Sequence, residues 1–293
     1  MFGSHLSIAG GLAVALEEAE RLGLDCVQVF TKNQQQWRAP PLTESAVKTW
    51  RDAQGRLGWA GRNVAHASYL INLATPDDEL WKKSINLMEE ELRRCEALGI
   101  AFLVHHPGAY TTSSLEAGLD RIAAAYGELF ERTAGFGTIS CLENTAGGGS
   151  TIGREFGELA SLRARIVKAC GKEAEGRVGY CFDTCHAHAA GYDMGSFEGA
   201  GRTLDELDRV CGLERVRVLH LNDSKGACGS RLDRHEHIGK GTIGVEGFRA
   251  VVNRRELRES RRPMILETPK GESEGGIAHD RLNLRRLRKL VAE

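Results

Sequence analysis

An alternation constrains this chain more than any other feature. Eight short, nearly continuous apolar runs recur along it, each followed by a longer stretch with helical spacing. They are Phe2 to Ser7, Cys26 to Thr31, Asn63 to Ala67, Phe102 to His106, Ile139 to Glu143, Val178 to Asp183, Val216 to Leu221 and Met264 to Glu267. Runs that are apolar on both faces fit parallel strands covered by helices. Between them, Trp81, Ile85, Met88, Leu92 and Cys95 recur at steps of three and four and draw one apolar helical stripe. Thr75-Pro76 reads as an N-cap with proline at the first helical position, and Ser113-x-x-Glu116 as a capping box. Eight strands alternating with helices predict an α/β chain folded as a TIM (β/α)8 barrel, with a doubly wound open sheet as the alternative. A length of 293 residues suits one large barrel or two ordinary domains. No linker, low-complexity tract or repeat divides it, so residues 1–293 are expected to form one barrel domain.

Composition narrows the function classes. Apolar residues at 41% and charged residues at 27% are globular proportions. With 39 Lys+Arg against 40 Asp+Glu, the chain is not a broadly basic nucleic-acid coat, although a locally basic groove remains open. No apolar stretch reaches the roughly 18 residues of a membrane span, so no membrane partner is expected. The start, Met1-Phe2-Gly3-Ser4-His5, lacks a basic segment followed by an apolar one, and a cytoplasmic location is expected. Eight scattered cysteines with no CxxC pair fit reduced, mostly buried thiols and offer no Cys-based zinc spacing.

The polar residues at the ends of the runs carry the chemistry. His5, Lys32, Asn33, His66, His106, Glu143, Asp183, His186, His220 and Glu267 each close an apolar run or follow it within a few residues. In a barrel all those ends lie at one mouth, where residues distant in sequence converge. Any one of them alone is unremarkable, since a single strand histidine is usually a hydrogen-bonded core or surface residue. Together they are not. A bare carboxylate on an apolar strand costs several kcal/mol unless it is paired or metal-bound. Histidine and carboxylate without thiolate suit Zn²⁺, Mn²⁺ or Fe²⁺. Asp233-x-His235 places two more ligand types on one side of an extended segment, which otherwise reads as a charged surface loop. The run Gly147-Gly148-Gly149-Ser150 lacks the Lys-Ser/Thr of a phosphate-binding loop and reads as a flexible connection.

Eight motifs occur in order: Phe30-Thr31-Lys32-Asn33 with Gln36-Trp37, His66 through Leu73, His106-Pro107-Gly108, Leu142 through Gly147, Phe182-Asp183-Thr184-Cys185-His186, His220-Leu221-Asn222-Asp223, Asp233-Arg234-His235 and Leu266-Glu267-Thr268. Their series, spanning about residues 3 to 270, resembles the endonuclease IV family of apurinic/apyrimidinic (AP) endonucleases. The resemblance implies a TIM barrel with three zinc ions and nine protein ligands. His66, His106 and Glu143 would hold the first ion. Glu143 would bridge to a second, completed by Asp183, His220 and Glu267. His186, Asp233 and His235 would hold the third. Manganese or iron at one site is compatible with the same donors.

Hydrolysis of the phosphodiester 5′ to an abasic site would follow, with a metal-activated hydroxide as nucleophile, Glu143 as the bridging catalytic carboxylate, and a 3′-hydroxyl and 5′-deoxyribose phosphate as products. Removal of blocking groups at damaged 3′ ends is implied as well. The partner is duplex DNA carrying an abasic site, flipped into the pocket while side chains fill the gap. Tyr69 and Leu70 match the family's inserting pair; without the resemblance they read as core. Gln35 stands where the family pattern often has a basic wedge, which predicts weaker and less salt-sensitive binding.

A monomer fits an enzyme that wraps DNA. Lys32, Arg38, Lys225, Arg231 and Arg234 are candidate phosphate contacts. Three Zn²⁺ would add six positive charges to a formal −1, giving +5 concentrated at the mouth. The competing readings are a divalent-metal sugar isomerase or epimerase on the same barrel, and a metal-stabilised DNA-binding protein without catalysis. Whether His5, His105, His188 or His237 assist the site is left open by the sequence.

Overall fold

The structure, a computed structural model, describes residues 1–292. Eight parallel strands form the barrel: β1 (Phe2–His5), β2 (Cys26–Val29), β3 (Val64–His66), β4 (Phe102–His105), β5 (Ile139–Glu143), β6 (Val178–Asp183), β7 (Val216–His220) and β10 (Met264–Leu266). They close in the order β1-β10-β7-β6-β5-β4-β3-β2. The closing seam pairs Phe2 with Met264, Gly3 with Ile265 and Ser4 with Leu266, so the sheet is not an open one. Each of the eight runs read from the sequence contains one barrel strand.

The helices are α1 (Leu12–Leu22), α2 (Glu44–Arg56), α3 (Asp78–Leu98), α4 (Leu115–Arg132), α5 (Phe156–Cys170), α6 (Glu173–Arg177), α7 (Thr184–Ala190), α8 (Phe197–Cys211), α9 (Gly244–Asn253), α10 (Arg255–Glu259) and α11 (His279–Leu290). A small antiparallel ribbon, β8 (Asp223–Ser224) with β9 (His235–Glu236), lies outside the barrel ladder. Among the described residues no helix is long and apolar enough to cross a membrane. All eight cysteines are free, and six are buried.

Two caps differ from the sequence reading. Helix α3 is capped by Asp77, which accepts from the Leu80 amide at 2.9 Å, while Thr75 accepts from Asp77 in the turn before it. Helix α4 is capped by Ser114, accepting from Ala117 at 3.2 Å, while Ser113 donates to the Tyr110 carbonyl. The cap must be the extended residue next to the first helical turn. Ser114 has that backbone (φ −115, ψ 161), which leaves Glu116 too close to complete a box.

The core has two layers because side chains alternate along a strand. Outward residues such as Val27, Ala65, Leu103, Leu142, Phe182, Leu219 and Leu266 join the large helix-covered core. Inward residues Cys26, Val64, Val104, Cys141, Cys181, Val218 and Ile265 form a separate plug. Gly3 faces the same plug, where an added Cβ would lie 2.7 Å from the Cys26 sulfur and 2.8 Å from Ile265. The plug fills the barrel and leaves only the next layer up for polar groups.

Candidate metal centre

That next layer is built by the period of two. Two residues beyond the inward Val64, Val104, Cys141, Cys181, Val218 and Ile265 come His66, His106, Glu143, Asp183, His220 and Glu267. Each therefore points inward at the C-terminal mouth, immediately above the apolar plug. His186 arrives from the first turn of α7, where its amide donates to Asp183 Oδ1 at 2.8 Å. Asp233 and His235 arrive from the loop and ribbon after β7.

The nine residues assemble as three overlapping groups. His66 Nε2 and His106 Nε2 lie 3.2 and 3.3 Å from Glu143 Oε2. On the other oxygen of the same carboxylate, His220 Nδ1 lies 2.8 Å away, and that nitrogen is 3.2 Å from Glu267 and 3.7 Å from Asp183. Asp233 sits between His186 Nε2 at 3.3 Å and His235 Nε2 at 3.2 Å. Within each of the sets His66/His106/Glu143, Glu143/Asp183/His220/Glu267 and His186/Asp233/His235, one ligand atom per residue falls within 4.8 Å of the others.

The imidazoles are oriented from behind. His66 Nδ1 bonds the Ala67 carbonyl at 2.8 Å, and His186 Nδ1 bonds the Asn144 carbonyl at 2.9 Å. His235 Nδ1 bonds the Glu267 carbonyl at 3.2 Å, and His220 Nε2 bonds Gln28 Oε1 at 2.9 Å. An N–H committed to a carbonyl leaves the opposite nitrogen with a lone pair facing the cluster, as a metal ligand requires. The carboxylates are held likewise. Gln28 Nε2 donates to Glu267 Oε1 at 2.6 Å, and Asn222 Nδ2 donates to Asp183 Oδ2 at 2.7 Å.

Gln28 and Asn222, together with Asn144, were missed by sequence reasoning. Their signal was present, since Asn144 and Asn222 each follow or nearly follow a ligand in a quoted motif and Gln28 is a buried amide two residues beyond the inward Cys26. Of the four histidines whose role the sequence leaves open, His5 reaches a carboxylate of the centre, lying 3.3 Å from Glu267. His105 bonds Tyr126 in the helix layer, His188 accepts from the Met194 amide, and His237 stacks on His279.

Electrostatics match this geometry. Burial alone would push Glu143 up, but the imidazoles of His220 and His106 outweigh it and hold its carboxyl well below the usual range. Burial likewise opposes, and His220 and His5 reverse, the shift of Glu267, which also lies well below. Burial would lower His220 and His235; the carboxylates of Glu267 and Glu143 raise the first to about 9, and Asp233 with Asp183 raises the second to about 9.

The donor set fits divalent metal. It supplies only nitrogen and oxygen, two of its carboxylates, Glu143 and Asp183, are fully buried, and His235 Nε2 is buried without an aligned hydrogen-bond partner. Two buried thiols also approach, Cys181 and Cys185, and burial raises the first well above its ordinary value and the second to about 12.

Around the centre, a groove of about 1010 Å³ is lined by His5, Phe30, Tyr69, His235, Glu267 and Lys270 among others. Tyr69 is 64% exposed, with its ring 5.5 Å from that of His66, whereas Leu70 is half-buried against the core. Gln35, Arg38, Lys225, Arg231 and Arg234 are exposed on mouth loops. Lys32 is a correction: only 4% exposed, it lies 3.7 Å from Glu91 and donates to the Gln36 carbonyl at 2.8 Å, so it is not a surface cation available to phosphate.

Comparison with known proteins agrees with this arrangement. Residues 16–287 match the model of a family described as xylose isomerase-like TIM barrel. A protein of Chloroflexus aurantiacus named probable endonuclease 4 is 48% identical over 290 residues, covering 99% of this chain and 98% of its own. The crystal structure of endonuclease IV from Thermus thermophilus superposes with a TM-score of 0.83 at 40% identity, covering 99% of this chain and 98% of that one. A D-tagatose 3-epimerase-like protein superposes at 0.71 with 19% identity over 99% of this chain and 96% of that one, a likeness of fold alone.

Proposed function

The chain belongs to the endonuclease IV family of apurinic/apyrimidinic endonucleases, and from that premise we propose that it hydrolyses the phosphodiester bond 5′ to abasic sites in duplex DNA. The products are a 3′-hydroxyl and a 5′-deoxyribose phosphate, and the same centre clears blocking groups from 3′ ends. The protein acts as a monomer in the cytoplasm. The observation that carries the reading is the position of Glu143, whose two oxygens face different imidazole groups, His66 with His106 on one side and His220 on the other.

Three zinc ions would be held by the three groups: His66, His106 and Glu143; Glu143, Asp183, His220 and Glu267; and His186, Asp233 and His235. Manganese or iron is compatible with one of them. Zinc bound there supplies positive charge for phosphate oxygens and lowers the pKa of water enough to give a hydroxide near neutral pH.

The chain's own residues do the rest. Glu143 stays ionised, shared between two groups, and keeps them in register. Gln28 and Asn222 fix the carboxylates of Glu267 and Asp183, so little reorganisation accompanies the reaction. Tyr69 and Leu70 fill the gap left by the missing base, which costs less to open than a stacked pair. Gln35, Arg38 and Arg234 contact the strands; Lys32 does not, because it is buried.

The test is a duplex carrying one tetrahydrofuran abasic analogue, incubated with the protein with and without chelator. Metal-dependent incision 5′ to the analogue is the expected result. Tight binding without incision would instead identify a damage-binding protein, and neither binding nor incision would return the sugar-isomerase reading.

A further inference from the structure

Two irregular segments flank the mouth side by side. Residues 30–43, after β2, carry Gln35, Trp37 and Arg38, and residues 67–77, after β3, carry Tyr69 and Leu70. Both hang on one stretch of α3. Glu91 Oε2 accepts from the Thr31 hydroxyl at 2.7 Å, and its Oε1 accepts from the Ser68 amide at 3.3 Å. One turn on, Arg94 donates to the Thr31 carbonyl at 2.6 Å and to the Pro40 carbonyl at 3.1 Å. Lys32, 3.7 Å from Glu91, donates back to the carbonyls of Asn33 and Gln36. The segments also join directly, because Ser68 Oγ donates to the Gln34 carbonyl at 2.6 Å.

Every member of this network is buried: Lys32 at 4%, Ser68 at 4%, Glu91 at 1% and Arg94 at 7% exposure. Its neighbours on α3 are Met88, Leu92 and Cys95, core residues that secure the helix to the barrel without it. Buried ion networks are costly relative to apolar packing and make only a weak case for stability, but they specify one arrangement of the groups they join. What this one joins is the backbone of both mouth segments.

Resting on the assignment of these segments to DNA, we propose that Glu91 is a positioning residue for substrate capture. With Arg94, Lys32 and Ser68 it locks the two segments into one unit, so that Gln35 and Tyr69 meet the duplex as a preset pair. Segments ordered before binding lose less conformational freedom on association. Residues held in one unit also contribute non-additively.

The experiment uses the zinc-loaded enzyme and the abasic-analogue duplex. Glu91→Gln keeps the shape of the side chain and removes the charge facing Lys32. Ser68→Ala removes only the tie to Gln34. Each is expected to raise KM by about 10-fold while kcat stays within about twofold and the zinc content is unchanged. In the unmodified protein, Gln35→Ala and Tyr69→Ala are expected to be non-additive in binding, and either network variant should bring them close to additivity. A readout free of DNA accompanies these: Trp37 is the exposed tryptophan of the first segment, and Ser68→Ala, in the other segment, should increase its quenching by acrylamide.

Unchanged Trp37 quenching, unchanged coupling, or a loss confined to kcat would overturn the proposal. If Glu91→Gln does not fold, Ser68→Ala decides the matter alone. If the unmodified enzyme fails to incise the abasic duplex, the DNA assignment falls, and the quenching result still judges the lock.

Discussion

Gln28 donates to Glu267 at 2.6 Å, and this bond crosses the barrel seam from β2 to the residue just beyond β10. The same amide accepts from His220, so one neutral side chain sets the orientation of two proposed ligands of one ion. Groups behind a metal ligand typically govern affinity by about 10- to 100-fold. Gln28→Leu should weaken zinc binding at the Glu143, Asp183, His220 and Glu267 group by that order, as measured by competition with a chelating dye. Affinity equal to the unmodified protein's would remove Gln28 from the centre.

Metal counting separates the three groups. The loaded protein should hold about three zinc ions per chain, and a value near one would break the trinuclear assignment. Because Glu143 belongs to two groups and Asp233 to one, Glu143→Gln should lower the count by about two and Asp233→Asn by about one. Mass spectrometry under native conditions reads both. Equal losses would show that Glu143 does not bridge.

Proton linkage gives a signed prediction for the protein stripped by chelator. His220 and His235 are raised from an ordinary 6.5 to about 9, so their contribution is complete below 6.5 and is lost as pH rises through about 9. Glu143 and Glu267 are depressed from an ordinary 4.5, so theirs is present above that value and fades as pH falls below it. Stability of the stripped protein should therefore peak between about pH 5 and 6.5. Zinc must displace the imidazolium protons, so the rise in Tm on adding zinc should grow between about pH 6.5 and 9. A zinc-induced shift that shrinks over that interval would contradict the titration scheme.

At position 35 the side chain is an exposed, uncharged glutamine. Gln35→Arg should tighten binding to the abasic duplex and steepen the plot of log affinity against log salt by about one unit of slope, the value expected for one added phosphate contact. An unchanged slope would mean that residue 35 does not reach the DNA.

What could be read from the sequence follows the range of the forces involved. Barrel strands bury both faces, so Val178 to Asp183 and its fellows stand out as apolar runs without reference to anything distant. Proposed ligands such as Glu143 and Asp183 were legible because a carboxylate closing such a run is costly without a partner. Asp233 and His235 stand out as two ligand types one residue apart, but their segment reads equally as a charged surface loop, because the His186 beside them is 47 and 49 positions away. Lys32 was misjudged because its partner, Glu91, lies 59 positions away on a helix, and a loop lysine is ordinarily solvated. Gln28 was overlooked because its partners sit 192 and 239 positions away. The helix caps were off by one or two residues because several serine, threonine and aspartate residues compete for each and only backbone geometry decides.

The seam between β1 and β10 has a consequence for when activity can arise. The barrel is closed by pairing its first strand with residues 264–266, and Glu267 comes immediately after them. A chain still emerging from the ribosome thus lacks both the closure and the last carboxylate of the shared group until translation has passed that point. The group that Glu143, Asp183, His220 and Glu267 form therefore cannot assemble on a chain that stops short of Glu267.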